Sequence, residues 1–139
     1  MSSYLVDTNV VSELTRTAPD PMVIKFLSEH EDLWLCSVIL HELEFGLQCL
    51  PQGHRRDKLQ QVLSDFIAEF DARILPLERN EANWAAHLRA EAQRAGRILH
   101  LGDALIAGTA KAHNLSLATR NVTDFEGLDI NVVNPWQMP

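Results

Sequence analysis

The sequence predicts an α/β fold: one domain over residues 1–139, with a central parallel sheet of four to five strands flanked by helices. Two observations carry this. Short apolar runs of strand length alternate along the chain with longer segments of helical periodicity, the pattern of parallel strands joined by crossover helices. A chain of 139 residues can also bury roughly 68% of its unfolded surface, enough for one hydrophobic core. No repeat, low-complexity segment or linker interrupts it.

The elements follow in order. "YLV" (4–6) is a short buried strand, and 8–15 reads as a short helix broken by Pro19 and Pro21. "MVIKFLSEH" (22–30) is the next helix and "LWLC" (33–36) the second strand. Ser37 is placed to cap the helix "VILHELEFGLQCL", which Pro51 and Gly53 stop. Over 55–70, Leu59, Val62, Leu63, Phe66, Ile67 and Phe70 fall at i, i+3, i+4, i+7, i+8 and i+11, an amphipathic helix. "RILPL" (73–77) is the third strand. A helix over 79–95 puts Trp84, Leu88 and Ala92 on one stripe and ends near Gly96. "GDALIAGTAKAHN" (102–114) is a helix with Asn114 as its C-terminal cap. "LSLAT" (115–119) and "INVVN" (130–134) are the fourth and fifth strands.

Composition sets limits on function. Hydrophobic residues make up 46% and charged residues 22%, ordinary values for a soluble globular chain. The start has no basic, apolar leader, and no apolar run is long enough for a membrane span, so a cytoplasmic location is expected. Cys36 and Cys49 lack metal or disulfide spacing and read as small core residues. The net charge of -7 argues against unspecific binding of polyanions.

Acids stand where an α/β sheet places its ligands, beyond the carboxyl ends of the strands. Asp7 directly follows "YLV", Asp103 opens the helix 102–113, and Asp124 lies five residues past Thr119. Glu42 sits inside a helix, with Val38, Ile39, Phe45 and Gly46 at its i±3 and i±4 positions. On so apolar a face an ionised carboxylate needs a partner or a cation, and Gly46 leaves room for close approach. Each acid also has a structural reading: helix caps for Asp7 and Asp103, an arginine pair for Glu42, a turn for Asp124. Together they would repel one another in a low-dielectric pocket, for which a divalent cation is the usual remedy. Oxygen-only ligands favour Mg²⁺ or Mn²⁺ over Zn²⁺.

"LVDTNVVSEL", the helical Glu in "SVILHELEFGL", "GDALIAGTAKAHNLSLATRNVTDFEGL" and the closing "NPW" resemble PIN-domain ribonucleases, in particular the VapC/FitB-type toxins of bacterial toxin–antitoxin pairs. The resemblance runs from about residue 4 to 136 in consistent order. It implies a PIN-like nuclease domain in which Asp7, Glu42 and Asp103 are acidic metal ligands. Thr8 or Asn9 would orient Asp7 or a bound water, with Thr119 as a further polar neighbour. Where some relatives carry an Asp after Thr-Arg this chain has Asn121, so Asp124 is expected to join the site, through water, with Asn121 beside it. The implied activity is Mg²⁺-dependent endonucleolytic hydrolysis of RNA, with Mn²⁺ as a possible substitute. One or two ions would activate water and stabilise the leaving oxygen, giving 5′-phosphate and 3′-hydroxyl ends. The implied partners are a cognate antitoxin and a second copy of the chain. Of the basic residues, Arg120 is the best placed for RNA; the 54–58 cluster, Arg94 and Arg97 are weaker candidates, and a solvated helix face explains the cluster equally well.

Other classes fit less well. "HELEF" (41–45) lacks the second His of a zinc protease, and no His pair shows ligand spacing. No P-loop or GxGxxG occurs. Trp34, Trp84 and Trp136 read as core or dimer packing. Another Mg²⁺-dependent phosphohydrolase is the enzymatic alternative, although Asn9 stands where the haloacid-dehalogenase pattern wants a second Asp. A non-catalytic module whose acidic pocket receives a basic peptide is the alternative from a different class.

Overall fold

The computed structural model describes residues 2–138. Its sheet comprises β1 (Tyr4–Val6), β2 (Leu33–Cys36), β3 (Ile74–Leu75), β4 (Ser116–Ala118) and β5 (Val132–Val133). The order is β3-β2-β1-β4-β5, and every pairing is parallel. The chain moves outward from β1 through β2 to β3, then returns to lay β4 on the other side of β1. That reversal puts the topological switch between β1 and β4, where open α/β sheets bind ligands. Leu5, Val6, Leu117 and Ala118 are fully buried, which is why these strands read as unbroken apolar runs rather than alternating ones.

Six helices connect the strands among the described residues: α1 (Thr8–Glu13), α2 (Pro21–Glu29), α3 (Ser37–Gln48), α4 (His54–Ala68), α5 (Arg79–Arg94) and α6 (Leu101–Ala112). Asp20 caps α2 by accepting from the Met22 amide at 2.8 Å, with Pro21 at the first helical position. Asn114 takes a left-handed φ of 55° just past α6, the role expected of it. None of the described helices is long and apolar enough to cross a membrane.

The structure corrects several local expectations. Ser37 is the first residue of α3 rather than its cap; Cys36 holds the cap position and makes no side-chain bond there. The reason is that β2 runs into α3 without a connector, so the junction residue still belongs to the buried strand. "RILPL" contracts to two residues, because Arg73 ends a 3-10 turn and Pro76 has no N–H for a ladder. Cys36 is buried, but Cys49 is exposed at the end of α3. Trp84 leaves the buried stripe of α5, which is Glu81, Ala85, Leu88 and Ala92; it lies 37% exposed, beneath the Lys111 ammonium.

That stripe is fixed by how closely α5 meets α6. A Cβ on Gly108 would fall 2.7 Å from the Glu81 carbonyl oxygen and from the Ala85 Cα, and backbone cannot swing away. Gly108→Ala is therefore expected to destabilise the protein by about 1–3 kcal/mol, read as a lower urea midpoint. An unchanged midpoint would show that the two helices can part.

Candidate active site

Asp7 directly follows β1 and caps α1. Its backbone stays extended (φ -72°, ψ 161°), and its Oδ1 accepts from the Thr8 amide at 2.7 Å. Its Oδ2 accepts from the Thr119 hydroxyl at 2.8 Å and, more distantly, from the Asn9 amide nitrogen at 3.4 Å. Asn9 also donates to Thr119 Oγ1 at 3.1 Å and accepts from the Arg120 amide at 3.1 Å. The Asn121 amide donates to the same Thr119 oxygen at 3.1 Å. The tips of β1 and β4 are thus tied by side chains after their ladder ends at the Asp7–Ala118 bond of 2.9 Å.

Asp7 is only 5% exposed, and burial pushes its carboxyl up to about 6. The bonds from Thr119 and Thr8 pull it down; the charges of Glu42 and Asp103 push it further up. Asp103 is raised too, first by burial and then by Asp124 and Glu42, with His100 opposing. Asp103 lies in the first turn of α6, where the helix dipole favours an anion, but His100 holds the cap position.

Glu42 projects from α3 and accepts from the Thr8 hydroxyl through Oε1. It is half-buried, and Phe45 beside it is 64% exposed, so its helix face is less enclosed than the residue types suggest. Gly46 faces open space; Gly102 is the glycine that matters, since a Cβ there would sit 3.0 Å from Glu42 Oε2. The absence of that carbon lets the first turn of α6, and with it Asp103, come up against the Glu42 carboxylate.

A cavity of about 560 Å³ opens over this network, and Asp7, Glu42, Asp103, Arg120, Asn121 and Trp136 are among its walls. Thr8 and Asn9 line it as well. Asp124 is exposed on the 3-10 turn Val122–Phe125 and is not part of the lining, although its charge is felt at Asp103. Among the described residues, no three Asp, Glu, His or Cys side chains are drawn together tightly enough to form a ready-made metal cage.

Ser12, Glu13, Arg16 and Trp136 also line the cavity, and none of them is among the site residues expected from sequence. Glu13 is buried, accepts from the Asp20 amide at 2.8 Å and faces Arg16 at 3.4 Å; the i, i+3 spacing of this pair was its only local signal. Arg16 borders both the cavity and a neighbouring basic groove shared with Arg55 and Lys58. Trp136 packs half-buried against the core, as expected of it, and also lines the cavity, with the Arg120 guanidinium 5.0 Å from the centre of its ring. Arg97 instead pairs with Glu126 at 3.0 Å.

Residues 4–130 match the family model of the PIN domain. The chain belongs to the PIN-domain family. Within that family it is 35% identical to VapC ribonuclease Y4jK of Sinorhizobium fredii over 96% of this chain and 97% of that one. It is 36% identical to Toxin FitB of Neisseria gonorrhoeae over 95% of this chain and 97% of the other. The crystal structure of FitAcB from Neisseria gonorrhoeae superposes with a TM-score of 0.90 at 35% identity, covering 97% of this chain and 99% of that one. The PIN domain here lines one cavity with the carboxylate residues Asp7, Glu13, Glu42 and Asp103 and with the guanidinium residues Arg16 and Arg120. That combination suits a polyanionic substrate held beside a hard cation.

Proposed function

We propose that this protein is a Mg²⁺-dependent endoribonuclease, the toxin of a toxin–antitoxin pair, acting as one nuclease domain over residues 1–139. The observation that supports this most is the convergence on one cavity of Asp7, just past β1, with Glu42 of α3 and Asp103 of α6, Asp7 being buried against its own charge. The similarity to proteins named ribonuclease and toxin points the same way.

The donor set fits Mg²⁺, or Mn²⁺ in its place: every donor is oxygen, and burial first, then the neighbouring carboxylates, raises the carboxyls of Asp7 and Asp103, a cost that a bound cation would offset. Asp7, Glu42 and Asp103 would hold the ion, with Asp124 reached through water and Asn121 alongside. When bound, such an ion supplies Lewis acidity at the scissile phosphate and a water nucleophile at neutral pH. The chain does the rest. Thr8, Asn9 and Thr119 lock the carboxylates in orientation, Arg120 meets the RNA phosphate, and burial at Asp7 excludes bulk water. A cytoplasmic location, a homodimer and a cognate antitoxin complete the proposal; exposed Phe45, Ile98 and Leu101 supply apolar area for a protein partner.

The test is cleavage of a fluorogenic RNA by the purified chain. Hydrolysis is expected with Mg²⁺, none after EDTA, and recovery when Mg²⁺ or Mn²⁺ is restored, with 5′-phosphate ends on the products. Equal cleavage with and without EDTA would overturn the metal-dependent reading. Growth arrest on expression, relieved by co-expressing the antitoxin, tests the toxin role.

A further inference from the structure

Arg120 and Trp136 leave neighbouring strands at the same level. Ala118 pairs with Val133 in parallel register, so the residues just past both tips emerge over one cavity mouth. The Arg120 guanidinium carbon lies 5.0 Å from the centre of the Trp136 ring, within the range of a cation–π contact. Both backbones are anchored: the Arg120 amide donates to Asn9 Oδ1 at 3.1 Å, and the Trp136 amide donates to Asn134 Oδ1 at 2.9 Å.

Two features make this more than packing. First, Arg120 is exposed and shares its cavity with Asp7, Glu42 and Asp103, yet among the described residues it forms no ion pair. For an exposed guanidinium the Coulomb pull of such a cluster is only about 1 kcal/mol at 4 Å in water, so a cation–π contact of comparable strength is enough to hold it on the indole. Second, the Trp136 indole nitrogen is buried without a hydrogen-bond partner. Phenylalanine would fill an apolar niche without that desolvation penalty. What the indole adds is the strongest π face among the side chains.

We propose that Trp136 is a positioning residue whose indole seats the Arg120 guanidinium at the cavity rim, off the carboxylates and facing an RNA phosphate. This rests on the nuclease reading above. Without the seat, Arg120 folds onto the carboxylates, where it competes with the cation and no longer meets the substrate.

The experiment uses the full chain with Trp136→Leu, which stays apolar but has no π face, and Trp136→Phe, which keeps a weaker one. Each is measured for RNA cleavage with Mg²⁺ and for Mn²⁺ affinity by titration without RNA. Trp136→Leu is expected to raise KM about three- to tenfold with a smaller change in kcat, and to weaken Mn²⁺ binding by a similar factor. Trp136→Phe should fall between it and the wild type. The decisive case is Trp136→Leu combined with Arg120→Ala: Mn²⁺ affinity should return to the wild-type level, while KM equals that of Arg120→Ala alone. A purely structural tryptophan would lower Mn²⁺ affinity equally with or without Arg120. The proposal is overturned by that result, by wild-type KM and Mn²⁺ affinity in Trp136→Leu, or by losses that simply multiply in the double variant. Should the wild type bind Mn²⁺ and cleave no RNA, the nuclease reading fails, and the Mn²⁺ comparison still decides whether Trp136 seats Arg120.

Discussion

Asp7→Asn is expected to lower kcat/KM for RNA cleavage by roughly 10³-fold or more while leaving the protein folded. The substitution is nearly isosteric, and the closest hydrogen bond is kept. The asparagine oxygen still accepts from the Thr8 amide, whereas the bond to Thr119 is weakened, because Thr119 Oγ1 already accepts from Asn9 and the Asn121 amide and has no acceptor site left for the new NH₂ group. What disappears is the negative charge that the cavity is built around. Asp103→Asn and Glu42→Gln should cost a comparable factor, since each also removes one charge from the same cavity. Thr119→Val, by contrast, removes only an orienting hydroxyl and should cost about 10- to 100-fold. Single-turnover cleavage with circular dichroism as a folding control separates these cases. If Asp7→Asn keeps activity within tenfold of the wild type, Asp7 is a helix cap and the catalytic reading is wrong.

Part of this site can be read locally. An apolar strand that ends on a carboxylate is visible in "YLVD", and the order of strands and helices places that tip at the ligand end of a parallel sheet. Glu42 shows the limit. Its i±3 and i±4 neighbours are apolar by type, but side-chain type does not say whether a helix face is covered, and Phe45 turns out to be exposed. The choice between Gly46 and Gly102 depends on which helix crosses which, a matter of tertiary packing with no local signature. Trp136 packs against the core as its residue type suggests, but its second role has no local signature. Its place beside Arg120 follows from the register of the two-residue strand β5 against β4, and strands that short are fixed by their neighbours rather than their own pattern. Asp124 lay near in sequence but went to the solvent side of a 3-10 turn, while Asn121 turned toward the cavity.

The same Asp7→Asn variant should be more stable than the wild type when no divalent cation is present. Burial holds the folded Asp7 carboxyl at about 6, against 3.8 for an ordinary aspartate. Between those values the folded state binds more protons than the unfolded one, so this group's contribution to stability falls as pH rises. Its destabilising effect is absent below about 4, grows through the window from 3.8 to about 6, and is complete at pH 8. A difference of some two pH units corresponds to roughly 3 kcal/mol, an upper value because the asparagine bonds are less favourable. In EDTA at pH 8 the variant should therefore gain about 1–3 kcal/mol in urea unfolding, and the gain should shrink steadily toward pH 4. Adding Mg²⁺ should stabilise the wild type and leave the variant nearly unchanged, closing or reversing the gap. Greater stability of the wild type in EDTA at pH 8 would rule out an uncompensated buried charge. A residue that only capped α1 would lose about 1 kcal/mol or nothing on this change, at every pH and with or without Mg²⁺. Only a carboxylate kept for its charge loses activity and gains stability in one substitution, so the two measurements on Asp7→Asn together distinguish a site from a cap.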